Sequence, residues 1–453
     1  MQSFDLIVIG AGSGLNVASA VAEKGLKVAI VEKGPMGGTC LNRGCIPSKI
    51  IIHSADVAEI IKKGRDFGIN AKISSINFKK ITSRASSIVD KDAREIEEAI
   101  IEDKNTTLFK AEAKFTAERT LKVGKGIIKG DKIVIAAGTR PLIPQIEGLK
   151  DTNYITSDEA LRLREQPKIL TILGGGYIAA ELAHFFGALG SKINIIQKGK
   201  FLVPNEDEEI SKKFTEIFKK KYKILTEFNV TKVLQKGKRF VAVAKSKNKK
   251  KKLISDQLLV AVGRIPNTDL LDLSKTNVET DGKGFIKTNE YLETSAKNIW
   301  ALGDIVGKFL FKHSANLEAG YVYNNAILNE RIKVDYRAMP HAIFSSPQIA
   351  GVGLREQDLR EGKIDYAVGK YMFIKSGMGI ALQDNGGFVK VFADRKTEKI
   401  LGCHILGTDA STLIHEVIVA MKAGLTADAI KNAVHVHPAL SEVVQRAVNN
   451  IEY

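Results

Sequence analysis

Two cysteines set five positions apart have the clearest capacity for chemistry in this chain. Cys40 and Cys45 lie in the run GGTCLNRGCIPSK over residues 37–49, and only one other cysteine occurs among the 453 residues. Cα atoms five residues apart on a regular α-helix are separated by about 8.5 Å, whereas a disulfide needs about 4.4–6.8 Å. A bond between the two sulfurs therefore requires a distorted turn, which Gly44 permits and which makes the bond easier to reduce.

The residues around the pair favour the thiolate form. Pro47 suits the first position of a helix, which predicts both sulfurs at a helix N-terminus, where the dipole and the backbone N–H groups stabilise an anion. The alternative is a pair of buried, inert cysteines, and the crowding of glycines, a proline and Lys49 into the same dozen residues argues against it. We therefore predict a redox-active dithiol. The third cysteine, Cys403, lies on a predicted strand over residues 401–406 and is expected to be a buried apolar residue.

A glycine-rich turn near the start of the chain has the pattern of a dinucleotide site. Residues 4–9 predict a buried strand, residues 15–24 a helix, and residues 27–31 a second strand that ends at Glu32. The turn between the first strand and the helix carries Gly10, Gly12 and Gly14. Glycines there let a pyrophosphate approach the helix N-terminus, and an acidic residue after the second strand suits a ribose hydroxyl. Leu15 stands at the third glycine position of the usual pattern, so we expect looser packing of the helix against the strand.

The same design recurs from residue 169 onwards. Residues 169–173 and 192–196 predict two strands with a helix between them. The turn and the first helical residues include Gly174, Gly176, Tyr177, Ala179 and Glu181. We therefore predict a second nucleotide site in the same chain.

The second site differs from the first at the ribose position. Gln197 matches Glu32, and Lys198 and Lys200 follow it. The loss of the carboxylate and the gain of two ammonium groups favour a 2′-phosphate, and so NADP(H) over NAD(H). The alternative is that Gln197 bonds the ribose while the lysines are solvated.

Two nucleotide sites and a dithiol in one chain imply electron flow between a nicotinamide and the dithiol. Hydride carries two electrons, and a flavin is the usual relay between a nicotinamide and a disulfide. We therefore expect FAD at the first site and NAD(P) at the second.

Composition limits the other classes of function. The formal net charge is +17, from 68 Lys and Arg against 51 Asp and Glu, which suits a polyanionic partner. The lysines are scattered except over residues 245–252, which we predict to be a solvated hairpin tip between strands at 240–244 and 258–262. No basic and aromatic residues interleave to stack bases, so we predict no nucleic-acid partner; we also predict no metal site.

The chain shows no pattern for insertion or export. No apolar run reaches the length of about 18 residues that a membrane span needs, and the N-terminal residues lack the pattern of a signal peptide. Three cysteines do not form a secreted disulfide framework. We therefore expect no membrane partner and a cytoplasmic location.

Together these features resemble the flavin-dependent pyridine nucleotide–disulfide oxidoreductases, and within them the dihydrolipoamide dehydrogenase group, along essentially the whole chain. The further segments that carry the resemblance are IAAG over 135–138, VGRIPN over 262–267, IWALGD over 299–304 and HVHPALSE over 435–442. The resemblance implies an α/β fold with two Rossmann-like nucleotide-binding domains and a C-terminal α+β dimerisation domain. The implied boundaries are 1–144 for the FAD domain, 145–264 for the NAD(P) domain, 265–333 for a central segment completing the FAD site, and 334–453 for the dimerisation domain.

The resemblance also implies roles around the flavin. Cys45 would be the thiol nearest the flavin, and Cys40 the thiol that exchanges with substrate. Lys49, paired with Glu181, would lie beside the flavin and stabilise negative charge on its reduced form. Asp304 would hydrogen-bond the ribityl chain.

A histidine and a carboxylate near the C-terminus resemble the acid–base pair of the family. Thiol–disulfide exchange needs a base for the attacking thiol and an acid for the leaving one, and His437 oriented by Glu442 would serve as both. In the family this histidine belongs to the partner subunit, so the resemblance implies a homodimer with shared active sites, in which His435 shapes the pocket. Tyr177 would cover the nicotinamide site until the dinucleotide arrives. Further cofactor contacts are implied at Gly138, Gly263 and Arg264.

Two substrates fit this pattern. The CIPSK run over 45–49 and the double histidine favour oxidation of dihydrolipoamide, the reduced lipoyl group of 2-oxo acid dehydrogenase or glycine-cleavage complexes. The alternative is NADPH-dependent reduction of a small disulfide, because GTRP over 138–141 and YIAAE over 177–181 resemble mycothiol-disulfide reductases. Leu15 and Gln197 point the same way.

Other functions are disfavoured. Residues 449–453 lack the cysteine pair of mercuric reductases, and Ser48 stands where the dithiol motif of glutathione reductases typically has lysine. A non-enzymatic alternative is a basic flavoprotein that binds a partner or nucleic acid, with a purely structural dithiol. Substitution of Cys45 by serine separates the two, because only the enzyme would lose dinucleotide-driven disulfide turnover.

Overall fold

The computed structural model describes residues 1–453. The chain forms two compact units that each draw on three stretches of sequence. The first unit comprises residues 1–50, 79–142 and 263–335, and the second comprises residues 51–78, 143–262 and 336–453.

The strands are β1 Gln2–Ile9, β2 Val28–Val31, β3 Thr106–Phe109, β4 Ala113–Ala117, β5 Thr120–Val123, β6 Gly126–Ile135, β7 Thr139–Pro141, β8 Ile169–Leu173, β9 Lys192–Gln197, β10 Lys223–Thr226, β11 Asn229–Lys236, β12 Arg239–Ser246, β13 Lys249–Ser255, β14 Gln257–Val260, β15 Arg264–Pro266, β16 Ile299–Ala301, β17 Pro340–Ile343, β18 Gln348–Gly353, β19 Tyr366–Met372, β20 Phe388–Asp394 and β21 Ile400–Gly407.

The helices are α1 Gly14–Ala22, α2 Gly38–Arg43, α3 Cys45–Lys63, α4 Phe78–Glu102, α5 Ser157–Ala160, α6 Tyr177–Ala188, α7 Glu208–Lys221, α8 Lys312–Tyr323, α9 Glu356–Glu361, α10 Gly377–Ala381, α11 Ala410–Lys422, α12 Asp428–Lys431 and α13 Glu442–Asn449.

The first unit is built on a seven-stranded sheet. Strands β3, β2, β1 and β6 are parallel neighbours in that order, β16 runs parallel to the end of β6, and β5 and β4 extend the sheet in antiparallel fashion. Strand β1 is apolar on both faces: Ile7 and Ile9 enter one hydrophobic core, while Leu6 and Val8 enter the other. A parallel strand covered on both sides reads as a continuous apolar run, which is why residues 4–9 predicted it correctly.

The second unit contains three sheets. Strands β10, β9, β8 and β14 form a parallel sheet, and β11, β12 and β13 form an antiparallel one, with a shared core that includes Leu173 and Phe240. The third sheet, in the order β17, β18, β21, β20, β19, is antiparallel and packs with α11 and α13. Cys403 of β21 is fully buried there, as predicted.

The lysine-rich stretch over 245–252 is not a hairpin tip alone. Only Lys247 and Asn248 form the turn, and Lys249 begins β13, which pairs with β12; the predicted partner strand, β14, belongs to the parallel sheet. The four lysines that open β13 are exposed, whereas Leu253 further along is buried. The part of β13 before Leu253 lies outside the hydrophobic core, so its residues show no alternation of apolar and polar side chains. The sequence pattern therefore did not indicate a strand there.

The α/β fold with two glycine-turn nucleotide units and an α+β C-terminal region is confirmed, and the four boundaries stay predictions. None of the helices combines the length and the apolar character that a membrane crossing requires.

Candidate active site

The segment that carries Cys40 and Cys45 contains a break between two helices. Cys40 lies within α2, Gly44 separates the helices with φ −143° and ψ −118°, and Cys45 is the first residue of α3. A Cβ atom on Gly44 would lie 2.8 Å from the carbonyl oxygen of Thr39. The predicted distorted turn at Gly44 is therefore confirmed, and only glycine fits it.

The helix start differs from the prediction in one respect. Because α3 begins at Cys45, Pro47 is its third residue rather than its first. Only Cys45 stands at the N-terminus of α3, and Cys40 belongs to the preceding short helix. The glycine break, and not the proline, sets the position of the helix start.

Cys40 and Cys45 are both thiols in this structure, and a hydrogen bond joins their side chains. A hydrogen bond with Cys45, followed by burial, raises the pKa of Cys40 above the ordinary range of thiols. The pKa of Cys40 is raised for two reasons. Its thiol donates a hydrogen bond to the neighbouring sulfur, and a second negative charge beside an ionised sulfur is disfavoured. Cys40 therefore holds its proton more tightly than an ordinary thiol and can donate it to the sulfur of Cys45.

A cation that the sequence did not point to acts on this pair. Lys312, the first residue of α8, donates a hydrogen bond to Oγ of Ser13 at 2.9 Å. Its positive charge lowers the pKa of Cys40, against the larger effects that raise it. Burial lowers the pKa of Lys312, whereas the two cysteines raise it.

The first glycine turn has the shape of a phosphate cradle. A Cβ atom on Gly10 would lie 2.4 Å from the carbonyl oxygen of Ala136, at a φ of +104°, so this position closes against the backbone. On Gly12 a Cβ atom would meet nothing nearer than 3.9 Å. Gly12 thus leaves the open surface at the helix start where a pyrophosphate needs room, which fits FAD.

Gly14, rather than position 15, gives the close contact between helix and strand. A Cβ atom on Gly14 would lie 2.7 Å from Cγ1 of Val8 and 2.9 Å from Cβ of Ala136. The expectation of looser packing, based on Leu15, is wrong. The glycine one position earlier supplies the space, because it is the residue that faces β1.

Glu32 is placed at the end of β2, beside this turn. Its Oε2 accepts a hydrogen bond from the backbone N–H of Ala11 at 2.9 Å, and its Oε1 accepts one from Gly34 at 2.7 Å. A carboxylate oxygen can accept more than one hydrogen bond. The carboxylate therefore stabilises the glycine turn and retains the capacity to accept from a ribose hydroxyl.

A hydrogen-bonded chain of three side chains leads to Asp304. Nε of Arg264 donates to Oγ1 of Thr139 at 2.8 Å, and that hydroxyl donates to Oδ2 of Asp304 at 2.9 Å. Burial raises the pKa of Asp304, while Thr139 and Arg264 lower it. The sequence predicted no contact for Thr139, because its partners lie 125 and 165 residues away.

The turns around this chain are fixed by backbone contacts. Gly138 and Gly263 have φ values of +62° and +138°, in the region that favours glycine. The backbone N–H of Leu142 donates to the carbonyl of Gly263 at 2.9 Å. Buried Glu318 accepts from the N–H of Gly303, the residue before Asp304, at 2.5 Å. These predicted residues thus shape the turns near Asp304.

The second glycine turn repeats the pattern of the first. A Cβ atom on Gly174 would lie 2.2 Å from the carbonyl oxygen of Ala261, whereas one on Gly176 would meet nothing within 4 Å. The second turn therefore also presents an open backbone at a helix start, which fits a dinucleotide.

The helix after the second turn carries the other predicted residues. Tyr177 is its first residue and is 38% exposed, and its role as a cover of the nicotinamide site stays a prediction. Ala179 is buried. Glu181 is buried too, and its Oε1 accepts a hydrogen bond from the N–H of Phe344 at 3.0 Å. The pairing of Glu181 with Lys49 stays a prediction.

At the ribose position of the second site, a buried amide is followed by two exposed cations. Gln197 ends β9 and is buried, and its Nε2 donates to the carbonyl oxygen of Phe201 at 3.2 Å. Lys198 and Lys200 are exposed, the latter with its ammonium 5.0 Å from the ring centre of Phe201. The amide donor of Gln197 is thus engaged with the backbone, while the two ammonium groups face outwards.

His437 and Glu442 form a pair at the surface. Nδ1 of His437 lies 3.0 Å from Oε1 of Glu442, whose Oε2 accepts from the N–H of Ala439 at 3.1 Å. These hydrogen bonds, that of His437 first, lower the pKa of Glu442. The His437 side chain is 76% exposed, so the ring presents Nε2 to whatever approaches.

A second histidine–carboxylate pair includes His435, two residues before His437. Nε2 of His435 lies 2.9 Å from Oε2 of Glu416, and Nδ1 of the same ring lies 3.1 Å from the carbonyl oxygen of Ala433. Burial raises the pKa of Glu416, although His435 lowers it. His435 was predicted from the sequence, whereas its partner Glu416 was not. No group of three or more His, Cys, Asp or Glu side chains is arranged to hold a metal ion.

Comparison with known proteins places the chain among flavoproteins that act on disulfides. Mycothione reductase of Mycobacterium tuberculosis is 35% identical over 463 residues, covering 99% of each chain. A dihydrolipoyl dehydrogenase of Geobacillus stearothermophilus is 36% identical over 458 residues, covering 98% of this chain and 95% of that one. The HOCl-induced flavoprotein disulfide reductase RclA from Escherichia coli superimposes with a TM-score of 0.88 at 27% identity, covering 98% of this chain and 99% of the other.

Two family profiles divide the chain between them. Residues 4–338 match the pyridine nucleotide-disulphide oxidoreductase profile, and residues 339–448 match the dimerisation domain of the same family. The chain therefore belongs to the pyridine nucleotide–disulphide oxidoreductases, a family of enzymes that use FAD and a nicotinamide nucleotide and carry a dimerisation domain.

Proposed function

We propose that the protein is a homodimeric dihydrolipoyl dehydrogenase, which oxidises dihydrolipoamide through a redox-active Cys40–Cys45 pair. The observation that carries the proposal is the pair of thiols at the Gly44 break, where a hydrogen bond joins Cys40 to Cys45. A pair in which one thiol donates to the other sulfur is suited to alternate between a disulfide and a thiol–thiolate state. The double-histidine segment with its two carboxylates supplies the proton chemistry.

In this proposal Cys40 exchanges with the substrate. His437 of the partner subunit removes a proton from one substrate thiol, and the resulting thiolate attacks Sγ of Cys40, which breaks the Cys40–Cys45 bond and leaves Cys45 as a thiolate. The second substrate sulfur then displaces Cys40, which leaves as a thiol. Two electrons pass from the substrate to the pair, the substrate becomes a cyclic disulfide, and the second substrate proton remains on Cys40.

Glu442 orients the base for this step. A carboxylate can only accept hydrogen bonds, so the contact with Glu442 places the hydrogen of the neutral ring on Nδ1 and leaves Nε2 as the acceptor. The carboxylate also stabilises the imidazolium that forms after proton removal. The exposure of the ring supports a site completed by a second copy of the chain, since nothing in its own surroundings encloses it.

The cofactors are assigned to the two glycine turns. Residues that would hold FAD are Gly10, Gly12, Gly14, Glu32, Lys49, Gly138, Gly263, Arg264 and Asp304. Bound FAD would accept the two electrons of the dithiol and pass them to the nicotinamide. Residues that would hold the nicotinamide nucleotide are Gly174, Gly176, Tyr177, Ala179, Glu181, Gln197 and Lys198. The open backbone at Gly12 and at Gly176 supports both assignments.

NADP(H) is the proposed nucleotide. The amide of Gln197 already donates to Phe201, and the exposed ammonium groups of Lys198 and Lys200 are the charged groups that follow β9. A 2′-phosphate would satisfy them, whereas a bare ribose would offer no counter-charge.

A second candidate function is NADPH-dependent reduction of a small disulfide. The similarity to mycothione reductase, at 99% coverage of both chains, favours it. So does the pair of exposed lysines, because NADPH is the usual donor for reductive chemistry of this kind.

Steady-state kinetics distinguish the two candidates. The kcat/KM of the purified enzyme is measured for dihydrolipoamide with NAD⁺ and with NADP⁺, and for reduction of mycothione and glutathione disulfide with NADH and NADPH. Dihydrolipoamide turnover that exceeds every disulfide reduction supports the first proposal. Negligible dihydrolipoamide turnover together with NADPH-driven reduction of mycothione would establish the second candidate instead.

A further inference from the structure

The loop that carries the exposed lysines of the second nucleotide site is held by hydrogen bonds at both ends. At its start, Nε2 of Gln197 donates to the carbonyl oxygen of Phe201 at 3.2 Å. At its end, the N–H of Val203 donates to the carbonyl oxygen of Gly175 at 2.6 Å. Gly175 is the middle glycine of the second turn, so the loop over residues 197–203 is joined directly to that turn.

Side chains of the loop also pack against the second glycine turn. A Cβ atom on Gly175 would lie 2.7 Å from Cδ2 of Leu202 and 3.1 Å from Cβ of Gln197. Both of these side chains are buried. No room is left between loop and turn, so the position of one fixes the position of the other.

The backbone at the end of the loop is strained. Val203 has a φ of +45°, in the left-handed region that β-branched residues rarely adopt. It also opens a turn in which the N–H of Glu206 donates to the carbonyl oxygen of Val203 at 3.0 Å, with Pro204 at the second position, where proline is favoured. A strained conformation of this kind persists only where the surrounding structure imposes it.

Two buried hydroxyls of α7 hold this backbone from the other side. Oγ1 of Thr215 accepts from the N–H of Leu202 at 2.9 Å, and Oγ of Ser211 donates to the carbonyl oxygen of Val203 at 2.8 Å. Oγ1 of Thr215 also donates to the carbonyl oxygen of Ser211 at 2.7 Å. That last bond, to the residue four positions earlier, is usual for a helical threonine. The two bonds to the loop are additional, and they connect α7 to the nucleotide site.

We propose that Thr215 and Ser211 are positioning residues of the second nucleotide site. Their hydroxyls hold the backbone at 202–203 against the glycine turn and thereby fix the loop that presents Lys198 and Lys200 to a 2′-phosphate. A loop that is ordered before the ligand arrives loses little freedom on binding, which favours tighter binding. The inference rests on the proposed preference for NADP(H), and it is independent of which disulfide or dithiol is the substrate.

Three variants test the inference. Thr215→Val removes one hydroxyl and keeps the shape of the side chain, Ser211→Ala removes the other, and the double variant removes both. Ser191→Ala is the matched control, because it removes a buried hydroxyl that donates to the carbonyl oxygen of Pro167 at 2.6 Å, at the end of β9 opposite the loop. The FAD content and the thermal unfolding midpoint of each purified protein are recorded first.

The readout is the binding of two probes to the FAD-bearing enzyme, measured by isothermal titration calorimetry. Adenosine 2′,5′-bisphosphate carries the 2′-phosphate and adenosine 5′-monophosphate lacks it, so the ratio of their dissociation constants measures selection of that phosphate. We expect the double variant to lose about tenfold of the wild-type preference for the bisphosphate, or about 1.4 kcal/mol. Each single variant should shift the ratio in the same direction by less, and Ser191→Ala should leave it unchanged.

Hydrogen exchange provides a readout without any ligand. Amide exchange of the peptide that spans residues 198–203 should be faster in the double variant than in the wild type, because the loop has lost two of its hydrogen bonds. A general loss of stability would weaken both probes alike and leave their ratio unchanged. A folded, FAD-bearing double variant with the wild-type ratio would overturn the inference.

The double variant Lys198→Ser, Lys200→Ser, measured in parallel, separates this inference from the proposed nucleotide. If the lysine variant loses the preference for the bisphosphate and the hydroxyl variants keep it, the positioning role is wrong and the NADP(H) proposal stands. If the lysine variant keeps the wild-type ratio, the NADP(H) proposal is wrong and the inference falls with it. Should the double hydroxyl variant fail to fold, Thr215→Val alone gives the decision.

Discussion

Nδ1 of His437 lies 3.0 Å from Oε1 of Glu442, and the other carboxylate oxygen accepts from the backbone N–H of Ala439, so the carboxylate holds both the ring and the loop that carries it. The carboxylate fixes the tautomer of the ring and leaves Nε2 free of a hydrogen. Glu442 is buried, whereas His437 is largely exposed. An oriented imidazole at an exposed surface suits the proposed site that a second subunit completes.

Substitution of this pair should lower dithiol turnover in a graded way. His437→Gln removes the base and should reduce kcat/KM for dihydrolipoamide by about 10²- to 10⁴-fold. Glu442→Gln keeps the ring and should cost less. Hydrogen bonds lower the pKa of Glu442, so its carboxylate stays ionised through mildly acidic pH. In Glu442→Gln the imidazolium loses that counter-charge, and the acidic limb of the pH–rate profile should move to lower pH.

The control for this pair is His415→Gln, which changes an exposed histidine on α11. Its kcat/KM should stay within about twofold of the wild type. Equal activity of His437→Gln and wild type at every pH would contradict the role of His437 as the base.

Alanine at two glycines of the first turn should separate folding from cofactor binding. Gly14→Ala places a Cβ atom 2.7 Å from Cγ1 of Val8 and should lower the free energy of unfolding by about 1–3 kcal/mol. Gly12→Ala meets nothing within 3.9 Å and should leave the apoprotein as stable as the wild type. It fills the proposed pyrophosphate space, so the FAD dissociation constant should rise about tenfold or more, equivalent to about 1.4 kcal/mol.

Urea unfolding of the apoproteins and fluorescence titration with FAD measure these two quantities. Undiminished FAD affinity in Gly12→Ala would show that the open surface at this turn is not the pyrophosphate site.

Removal of the exposed lysines after β9 should change the nucleotide preference. The double variant Lys198→Ser, Lys200→Ser loses the proposed partners of the 2′-phosphate, and its ratio of kcat/KM for the NADP form to that for the NAD form should fall about tenfold, or about 1.4 kcal/mol. Lys192→Ser, at the opposite end of β9, is the charge-matched control and should leave the ratio unchanged. A wild-type enzyme that already prefers NAD⁺, with a ratio insensitive to both lysines, would reject the NADP proposal.

The partly buried pair of His435 and Glu416 should make stability depend on pH. Burial raises the pKa of Glu416 in the folded chain, so the folded state holds this proton more tightly than the unfolded state does. The contribution of Glu416 to the free energy of unfolding is therefore complete below the ordinary glutamate pKa of about 4.3. It is lost as pH rises through the raised pKa that Glu416 has in the folded chain. His435, which lowers this pKa, and Cys403, whose pKa Glu416 raises, are the titratable groups that interact with it.

Glu416→Gln removes that titration. The free energy of unfolding is measured in urea from about pH 4 to about pH 7. As pH rises, the value for the variant should increase relative to the value for the wild type. The exposed Glu216→Gln variant on α7 is the control and should follow the wild type. A constant difference between Glu416→Gln and wild type across this range would contradict the assignment.

The parts of the site that sequence could predict are those built within a short stretch of chain. The dithiol turn, both glycine turns and the His437–Glu442 pair each lie within about a dozen residues, so spacing and residue type define their geometry. The helix start at Cys45 and the contact at Gly14 differ from prediction by one or two positions, because local packing decided them.

The parts that sequence could not predict depend on distant contacts. Lys312 reaches the turn that contains Ser13, 299 residues earlier, and Thr139 reaches Asp304 across 165 residues. Thr139 lies in the GTRP run and Lys312 in no motif, but no local pattern indicates either contact, and only the fold brings these partners together. The lysines of β13 fall in the same class, since their pairing with β12 and not their composition makes them a strand.

The central claim is that Cys40 and Cys45 form the redox-active pair, and anaerobic reduction followed by thiol mapping tests it most directly. The oxidised enzyme is treated with one equivalent of NADPH or NADH per FAD, alkylated, and analysed by peptide mass. We predict two newly alkylated cysteines per chain, Cys40 and Cys45, no change at the buried Cys403, and no disulfide turnover in Cys45→Ser. Unchanged labelling of Cys40 and Cys45, or full turnover by Cys45→Ser, would contradict the account.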